Sequence, residues 1–257
     1  MIIRTKNYSD YKFLWIENSA ITFKGEKGKF KDAYIIGSRT QDDQNKLDSA
    51  INSSGKEKEQ NILFIRNHPA SIISANILSV YCSAWGRDLS ARLYNSFSED
   101  LKSTSYGKNI LEFITLNKNL KVGDRYVDFS QLNVDGKRIK LSDYNGKFVL
   151  LEFWGSWCMP CRDGNPELVK TYNKFKNKGF EILGVASDSN KEAWLNAVKK
   201  DGLPWQNVSD LKGDKNIAAL IYGVSNYPVN FLIDQTGSII AKDLRGEKLR
   251  EKLEELL

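Results

Sequence analysis

Phe153-Trp154-Gly155-Ser156-Trp157-Cys158-Met159-Pro160-Cys161 is the stretch on which the reading of the whole chain turns. It closes an apolar run beginning at Phe148, with the length and residue types of a buried strand. Beyond it, Leu168, Tyr172 and Phe175 recur with helical spacing. The pattern predicts a strand ending at Trp154 and a helix opening at or just after Cys158. A sulfur placed there lies over unpaired backbone amides at the positive end of the helix dipole, and both stabilise a thiolate. Cys161, one turn further, shares that side of the helix and can close a ring with Cys158 from a less exposed position. The chemistry this allows is two-step exchange. Cys158 attacks a disulfide, and Cys161 then attacks the mixed disulfide and releases the reduced product.

Two plainer readings of the pair were weighed. Structural zinc requires four ligands, and besides carboxylates the chain offers only the distant Cys82 and its single histidine, His68, so no metal is expected. Inert buried cysteines are the other reading. Pro160 between the pair and the tryptophans before it fit an exposed redox loop better.

Downstream, a strand is expected at Phe180 to Ala186, a helix from Lys191 to Lys200 and a short helix near Ile217 to Ile221. A strand at Val229 to Ile233, a turn at Asp234 to Gly237, a strand at Ser238 to Lys242 and a terminal helix complete an α/β module. Upstream, Val134-Asp135-Gly136 marks a turn between short strands, and a domain boundary is placed near Lys121-Val122-Gly123-Asp124. Residues 1–120 read as a smaller domain of a few strands followed by helices. A hairpin is expected within Tyr11 to Phe23, turning at Asn18-Ser19, with a further strand from Lys31 to Gly37. Helices follow after Gln41 and over Glu57 to Arg66, then one opened by Pro69, and two more around Asp88 to Phe97 and Ser105 to Leu116.

Composition bounds the function. The 257 residues are 41% hydrophobic and carry a net charge of +6, enough apolar material for ordinary cores without staples. The lysines are scattered among nearly as many carboxylates, which argues against nucleic acid as a partner. No run approaches the length of a membrane span, and the first residues lack the apolar core of a signal peptide.

Residues 121–257 resemble the thioredoxin-like reductases of the TlpA/ResA type. The likeness is carried by Trp157-Cys158-Met159-Pro160-Cys161-Arg162, Gly223-Val224 and Tyr227-Pro228-Val229-Asn230-Phe231-Leu232-Ile233-Asp234. It implies a thioredoxin fold, a central mixed sheet flanked by helices. It also implies a cis peptide before Pro228, beside the cysteine pair, in a loop whose backbone holds an extended substrate segment. Trp157, Met159, Pro160, Tyr227 and Pro228 are thus expected to bind substrate, and Cys158 and Cys161 to be catalytic with no cofactor beyond their own disulfide. The matching position in thioredoxins commonly holds a buried acid beneath the cysteines, so Glu152 is expected to exchange a proton with Cys161. Burial would raise its pKa toward neutrality. Three residues depart from the family pattern: Gly164 where a Glu is frequent, Val229 where a Thr is usual, and Val127 where a Pro often precedes the Asp.

Residues 1–120 resemble more loosely the accessory domain preceding such modules in Gram-negative envelope reductases, through Tyr34-Ile35-Ile36-Gly37-Ser38 and Phe64-Ile65-Arg66-Asn67-His68-Pro69-Ala70-Ser71. Its start reads as truncated, which points to the periplasm or cell envelope, with the cytoplasm as the alternative. The resemblance implies disulfide-containing protein substrates, reduced with electrons from a membrane thiol-disulfide donor. A peroxiredoxin-like thiol peroxidase, or a ligand- or partner-binding protein with a secondary redox module, are the competing functions. Cys82 is read as a small buried hydrophobe, His68 as a helix-boundary residue and Arg162 as either solvated or a cation beside the thiol.

Overall fold

Every residue of the strand Phe148–Trp154 is buried, so both of its faces must be covered. The structure, a computed structural model, describes residues 2–4, 6 and 9–257. It divides into two compact units, one formed by the residues up to Cys82 together with Asp88–Glu112, the other by Ser83–Arg87 and Phe113–Leu257.

The first unit contains strands β1 (Ile2–Arg4), β2 (Tyr11–Phe13), β3 (Thr22–Lys24) and β4 (Tyr34–Ile36). Helices α1 (Arg39–Ser54), α2 (Glu57–Asn67), α3 (Ile72–Trp85), α4 (Arg87–Asn95), α5 (Glu99–Ser103) and α6 (Ser105–Leu116) follow, the ends of α3 and α6 and the first residue of α4 belonging to the second unit. Leu47, Ile65, Ile73, Leu78, Leu93 and Ile110 are buried within it.

Two expectations for this unit are corrected. The segment from Tyr11 to Phe23 does not fold back on itself, because β2 pairs with β1 and β3 with β4, both antiparallel. The chain bends at Asn18-Ser19 (Ser19 N–H to Glu17 O, 2.9 Å), but the side chains there brace the start of α1. The Glu17 carboxylate accepts from the backbone N–H of Arg39 (2.6 Å) and from Thr40, and Ser19 Oγ donates to the Gly37 carbonyl (2.9 Å). Pro69 does not open α3 either. His68 and Ser71 close a turn first (Ser71 N–H to His68 O, 3.0 Å), and the helix begins at Ile72.

The second unit is built on one seven-stranded sheet. In chain order its elements are β5 (Ser130–Asn133), β6 (Arg138–Lys140), β7 (Phe148–Trp154), α7 (Met159–Phe175), β8 (Phe180–Ala186), α8 (Lys191–Asp201), β9 (Gln206–Ser209), α9 (Ile217–Tyr222), β10 (Val229–Ile233), β11 (Ile239–Lys242) and α10 (Gly246–Leu256). Spatially the strands run β11-β10-β7-β8-β9-β5-β6. Strands β7, β8 and β9 are parallel, and β10 and β11 on one side and β5 and β6 on the other are added antiparallel. This is the mixed sheet of the expected α/β thioredoxin fold.

Because side chains alternate along a strand, β7 divides its residues between two cores. Phe148, Leu150 and Trp154 join the cluster that includes Phe175 of α7, Trp194 of α8 and Leu249 of α10. Val149, Leu151 and Phe153 join the cluster on the other face, with Ala218 and Tyr222 of α9. Glu152 falls on the first face, the one covered by α7.

The sequence reading passed over β9. Its polar residues disguise a buried strand, since the Asn207 side chain accepts from Trp154 Nε1 (3.1 Å) and Ser209 Oγ donates to the Ala186 carbonyl (2.7 Å). A similar device fixes the sheet's far side. Asn216 is buried, caps α9 at the Ala219 N–H (3.1 Å), accepts from Gln131 Nε2 (2.9 Å) and donates to the Ala186 carbonyl (3.3 Å). Asn216→Ala removes the cap and strands the buried Gln131 amide, so a loss of about 2–3 kcal/mol is expected, measured as a lowered urea midpoint of the oxidised chain.

Candidate active site

The turn from β7 into α7 places the two cysteines. Cys158 occupies the N-cap of α7, its backbone N–H donates to the Gly155 carbonyl (3.0 Å), and its Sγ accepts from the Cys161 N–H (3.3 Å). The two sulfurs are joined in a disulfide of 2.03 Å. Cys158 and Cys161 are 4% and 5% exposed, so the expected difference in exposure between them is absent: the closed ring draws both sulfurs against the sheet. Around this buried disulfide the rim is open, with Trp157 53% and Met159 70% exposed. Pro160 is also exposed.

Glu152 shares a cavity with Cys161. It sits in a central strand, directly opposite Asn230 of β10 in the antiparallel register, and is 9% exposed. The Asn230 side chain donates to Glu152 Oε2 (2.8 Å) and to the Leu244 carbonyl (2.8 Å), and accepts from the Leu244 N–H (3.0 Å). Burial pushes the Glu152 carboxyl up to about 7, against the opposing pull of the Asn230 hydrogen bond and the Arg245 charge. A cavity of about 100 Å³ opens over it, lined by Cys161, Pro160, Gly164, Pro228 and Arg245 among others. Arg245 lies at this wall with its guanidinium donating to the Pro228 carbonyl.

The bond between Tyr227 and Pro228 is cis. Tyr227 packs edge-on against Trp157, with ring centroids 5.3 Å apart, and its hydroxyl donates to Ser187 Oγ (2.6 Å). Trp157 Nε1 donates to the carbonyl of the same Ser187 (3.1 Å). The structure thus gathers Cys158, Cys161, Glu152, Trp157, Pro160, Tyr227 and Pro228 around one disulfide, while Met159 projects outward beside it.

Arg162 is neither solvated nor committed to the sulfur. Its fork is engaged by Asp201, with Nη2 donating to Oδ1 at 2.6 Å and Nε to Oδ2, while Nη1 reaches the Ser156 carbonyl (3.1 Å). Burial alone would raise the Asp201 carboxyl, but its hydrogen bonds from Arg162 and Asn165 outweigh that and hold it below the usual range. His68 stacks on Phe64, with centroids 4.4 Å apart, and Cys82 is buried in α3. Among the described residues no group of three or more His, Cys, Asp or Glu is arranged to hold a metal ion.

Residues missed by the sequence reading are Asn230, Arg245, Ser187 and Asp188. The polar run Ser187-Asp188-Ser189-Asn190 at the carboxyl end of a parallel strand was the available signal, since sites in open α/β sheets gather at such ends.

A cysteine pair closing at the start of a helix, fed by the central strand of a mixed sheet, defines a thiol-disulfide oxidoreductase of thioredoxin fold. The AhpC/TSA family model matches residues 122–242. The thiol-disulfide oxidoreductase ResA of Bacillus thuringiensis subsp. konkukian is 37% identical over 145 residues, covering 56% of this chain and 82% of the relative. ResA of Bacillus subtilis is 36% identical over 123 residues, 48% of this chain and 67% of the relative. Among solved structures, the thioredoxin domain of a thiol-disulfide oxidoreductase from Bacteroides vulgatus is 36% identical with a TM-score of 0.51, covering 53% of this chain and 98% of that one. A thiol-disulfide oxidoreductase from Bacteroides fragilis is 39% identical with a TM-score of 0.50, covering 52% and 100%. The chain belongs to the ResA-type thiol-disulfide oxidoreductases.

The raised Glu152 carboxyl has a measurable cost. Between its ordinary value of 4.5 and about 7 the folded chain keeps a proton that the unfolded chain has released, so stability falls as pH rises through that window and is level above it. Glu152→Gln removes the penalty, on the order of 3 kcal/mol. The variant is expected to exceed the wild type in stability at pH 8, with the advantage shrinking toward pH 4.5 in urea titrations.

Proposed function

We propose that the protein is a disulfide reductase acting on protein substrates, with Cys158 as nucleophile and Cys161 as resolving thiol. The observation that carries this reading is the Cys158–Cys161 disulfide set at the N-cap of α7, with Cys161 lining the same cavity as the buried Glu152 carboxyl. In the reduced form the Cys158 thiolate attacks one sulfur of the substrate disulfide, that S–S bond breaks, and one substrate thiolate leaves. Cys161 then attacks Cys158 Sγ, the mixed disulfide breaks, and the second substrate thiolate leaves as the ring closes. The helix N-terminus stabilises the attacking thiolate.

Glu152 takes the Cys161 proton in the second step. A group titrating near neutrality both accepts and returns a proton at working pH, and the cavity that it lines together with Cys161 is large enough to hold water. Trp157, Met159 and Pro160 on one side and Tyr227 and Pro228 on the other form the rim against which an extended substrate segment lies. Residues 121–257 are taken as the redox domain and 1–120 as its accessory domain.

Electrons would reach the disulfide from a membrane thiol-disulfide donor, on the periplasmic or envelope side of the cell. The family resemblance supports that placement, as does the fact that disulfide-bearing clients accumulate in oxidising compartments. Among the described residues no helix is long and apolar enough to cross a membrane.

Titration of the pair in a dithiothreitol buffer decides the direction of electron flow. A potential near −270 mV is expected for a reductant, and one near −120 mV would make the protein an oxidant. For the roles of the pair, Cys158→Ser is expected to abolish insulin disulfide reduction, while Cys161→Ser still attacks and accumulates a mixed disulfide visible on non-reducing gels. Accumulation in Cys158→Ser instead would exchange the roles. For Glu152, stopped-flow fluorescence with a peptide disulfide should show Glu152→Gln attacking at nearly the wild-type rate but resolving on the order of 10²-fold more slowly near pH 7. Equal resolution rates from pH 6 to 9 would remove it from the mechanism.

A further inference from the structure

The loop that follows β8 grips the turn that precedes Cys158. The Ser187 N–H donates to the Trp154 carbonyl at the strand end (2.9 Å), and the Ser187 carbonyl and hydroxyl accept from Trp157 and Tyr227. Asp188 goes further into the turn. Its carboxylate accepts from the Ser156 N–H (3.0 Å) and from Ser156 Oγ, two residues before the nucleophile. Asp188 is buried, and its own carbonyl is held by the Gly213 N–H (3.3 Å).

The charges around the turn differ in burial. Asp188 comes from the loop after β8, Arg162 from α7 and Asp201 from the end of α8, while Glu152 from β7 and Arg245 before α10 meet on the cavity side. The Arg162 guanidinium is engaged by Asp201, and Lys212, Asp214 and Lys215, on the loop whose Gly213 holds Asp188, are exposed to solvent, which leaves Asp188 as the fully buried charge on the Ser156 side. A buried charge is little screened by salt, whereas the exposed ones are largely screened. A negative charge there disfavours a thiolate on Cys158, and what disfavours the thiolate disfavours the reduced pair relative to the disulfide.

We propose that Asp188 is a positioning residue that lowers the reduction potential of the Cys158–Cys161 couple, by holding the turn through Ser156 with a buried negative charge that opposes the Cys158 thiolate. This deepens the reading of the protein as a reductant: the helix N-terminus makes Cys158 reactive, and Asp188 keeps the closed disulfide the preferred product. It also gives a role to a carboxylate buried against the turn two residues before a nucleophile that has to be an anion.

The test is the equilibrium in which reduced dithiothreitol gives two electrons and two protons to the Cys158–Cys161 disulfide and becomes its own cyclic disulfide. Asp188→Asn preserves the shape, with the amide able to accept from the Ser156 N–H and donate to Ser156 Oγ. It is expected to move the equilibrium constant roughly tenfold toward the dithiol, which is about 30 mV for a two-electron couple. The Cys158 thiol should titrate at lower pH than in the wild type, read by thiolate absorbance or by the pH dependence of alkylation. Asp188→Ser, also uncharged but shorter, should move both readings the same way and serves if the asparagine variant does not fold.

Ser156→Ala keeps the charge and removes one hydrogen bond, and its equilibrium should stay within about twofold of the wild type. An unchanged equilibrium in the Asp188 variants overturns the proposal. So does a Ser156→Ala shift as large as theirs, which would assign the effect to the shape of the turn. The wild-type potential itself decides between reductant and oxidant separately, since the Asp188 shift is a difference between variants.

Discussion

The start of α7 and the end of β7 share a single short turn, and the pleat of the strand carries through it. Because residues two apart on a strand point the same way, the face that receives Leu150 and Trp154 also receives Glu152, and the helix laid over that face brings the cysteines down onto it. No independent device is needed to put an acid under the disulfide. Asn230 enters by the same logic, since the antiparallel register of β10 sets it opposite Glu152. The site is thus a property of strand geometry, refined by the residue types that occupy it.

The opposite half of the site is held by loops. Ser187 and Asp188 follow β8 immediately, so the parallel pairing of β7 with β8 delivers them level with the turn after Trp154. Their hydrogen bonds run to Ser156, Trp157 and Tyr227, three residues contributed by two separate connections. One short polar segment therefore ties together the turn that carries the nucleophile and the loop that carries the cis peptide. The Arg162–Asp201 pair anchors the same turn from the helix side. Rigidity near the sulfurs comes from many ordinary hydrogen bonds converging on a few residues, each worth about 1 kcal/mol or somewhat more when charged.

Much of this was legible in the chain. Strands β7, β8 and β10 are long apolar runs, α7 carries a helical repeat, and the cysteines announce themselves by spacing, so these elements were read at or near their observed limits. What escaped depends on partners distant in sequence. Strand β9 looks like a loop until Asn207 is seen to serve Trp154, 53 residues before it. Arg162 looks like a surface cation until Asp201 arrives 39 residues later. In the first unit the bend at Asn18-Ser19 is there, but the short strands on either side of it choose other partners, β2 pairing with β1 and β3 with β4. Local pattern carries the elements that bury large apolar area, and says little about polar residues whose role is to satisfy another element.

Gly164 gives the site a further property. It lies inside α7 on the wall of the cavity above Glu152, and a Cβ added there would meet nothing within 4 Å. A glycine inside a helix weakens it by roughly 0.5–1 kcal/mol relative to alanine, and no neighbour demands its small size. The sheet, the disulfide and the buried acid are all locked to one another by packing, but this position is not. It is where the wall of the cavity can change character, from bare backbone to acid, base or bulk, while the fold that holds the cysteines stays as it is. Diversification of the chemistry next to the disulfide can therefore proceed by single steps at one residue, with helix stability gained and not spent at each step.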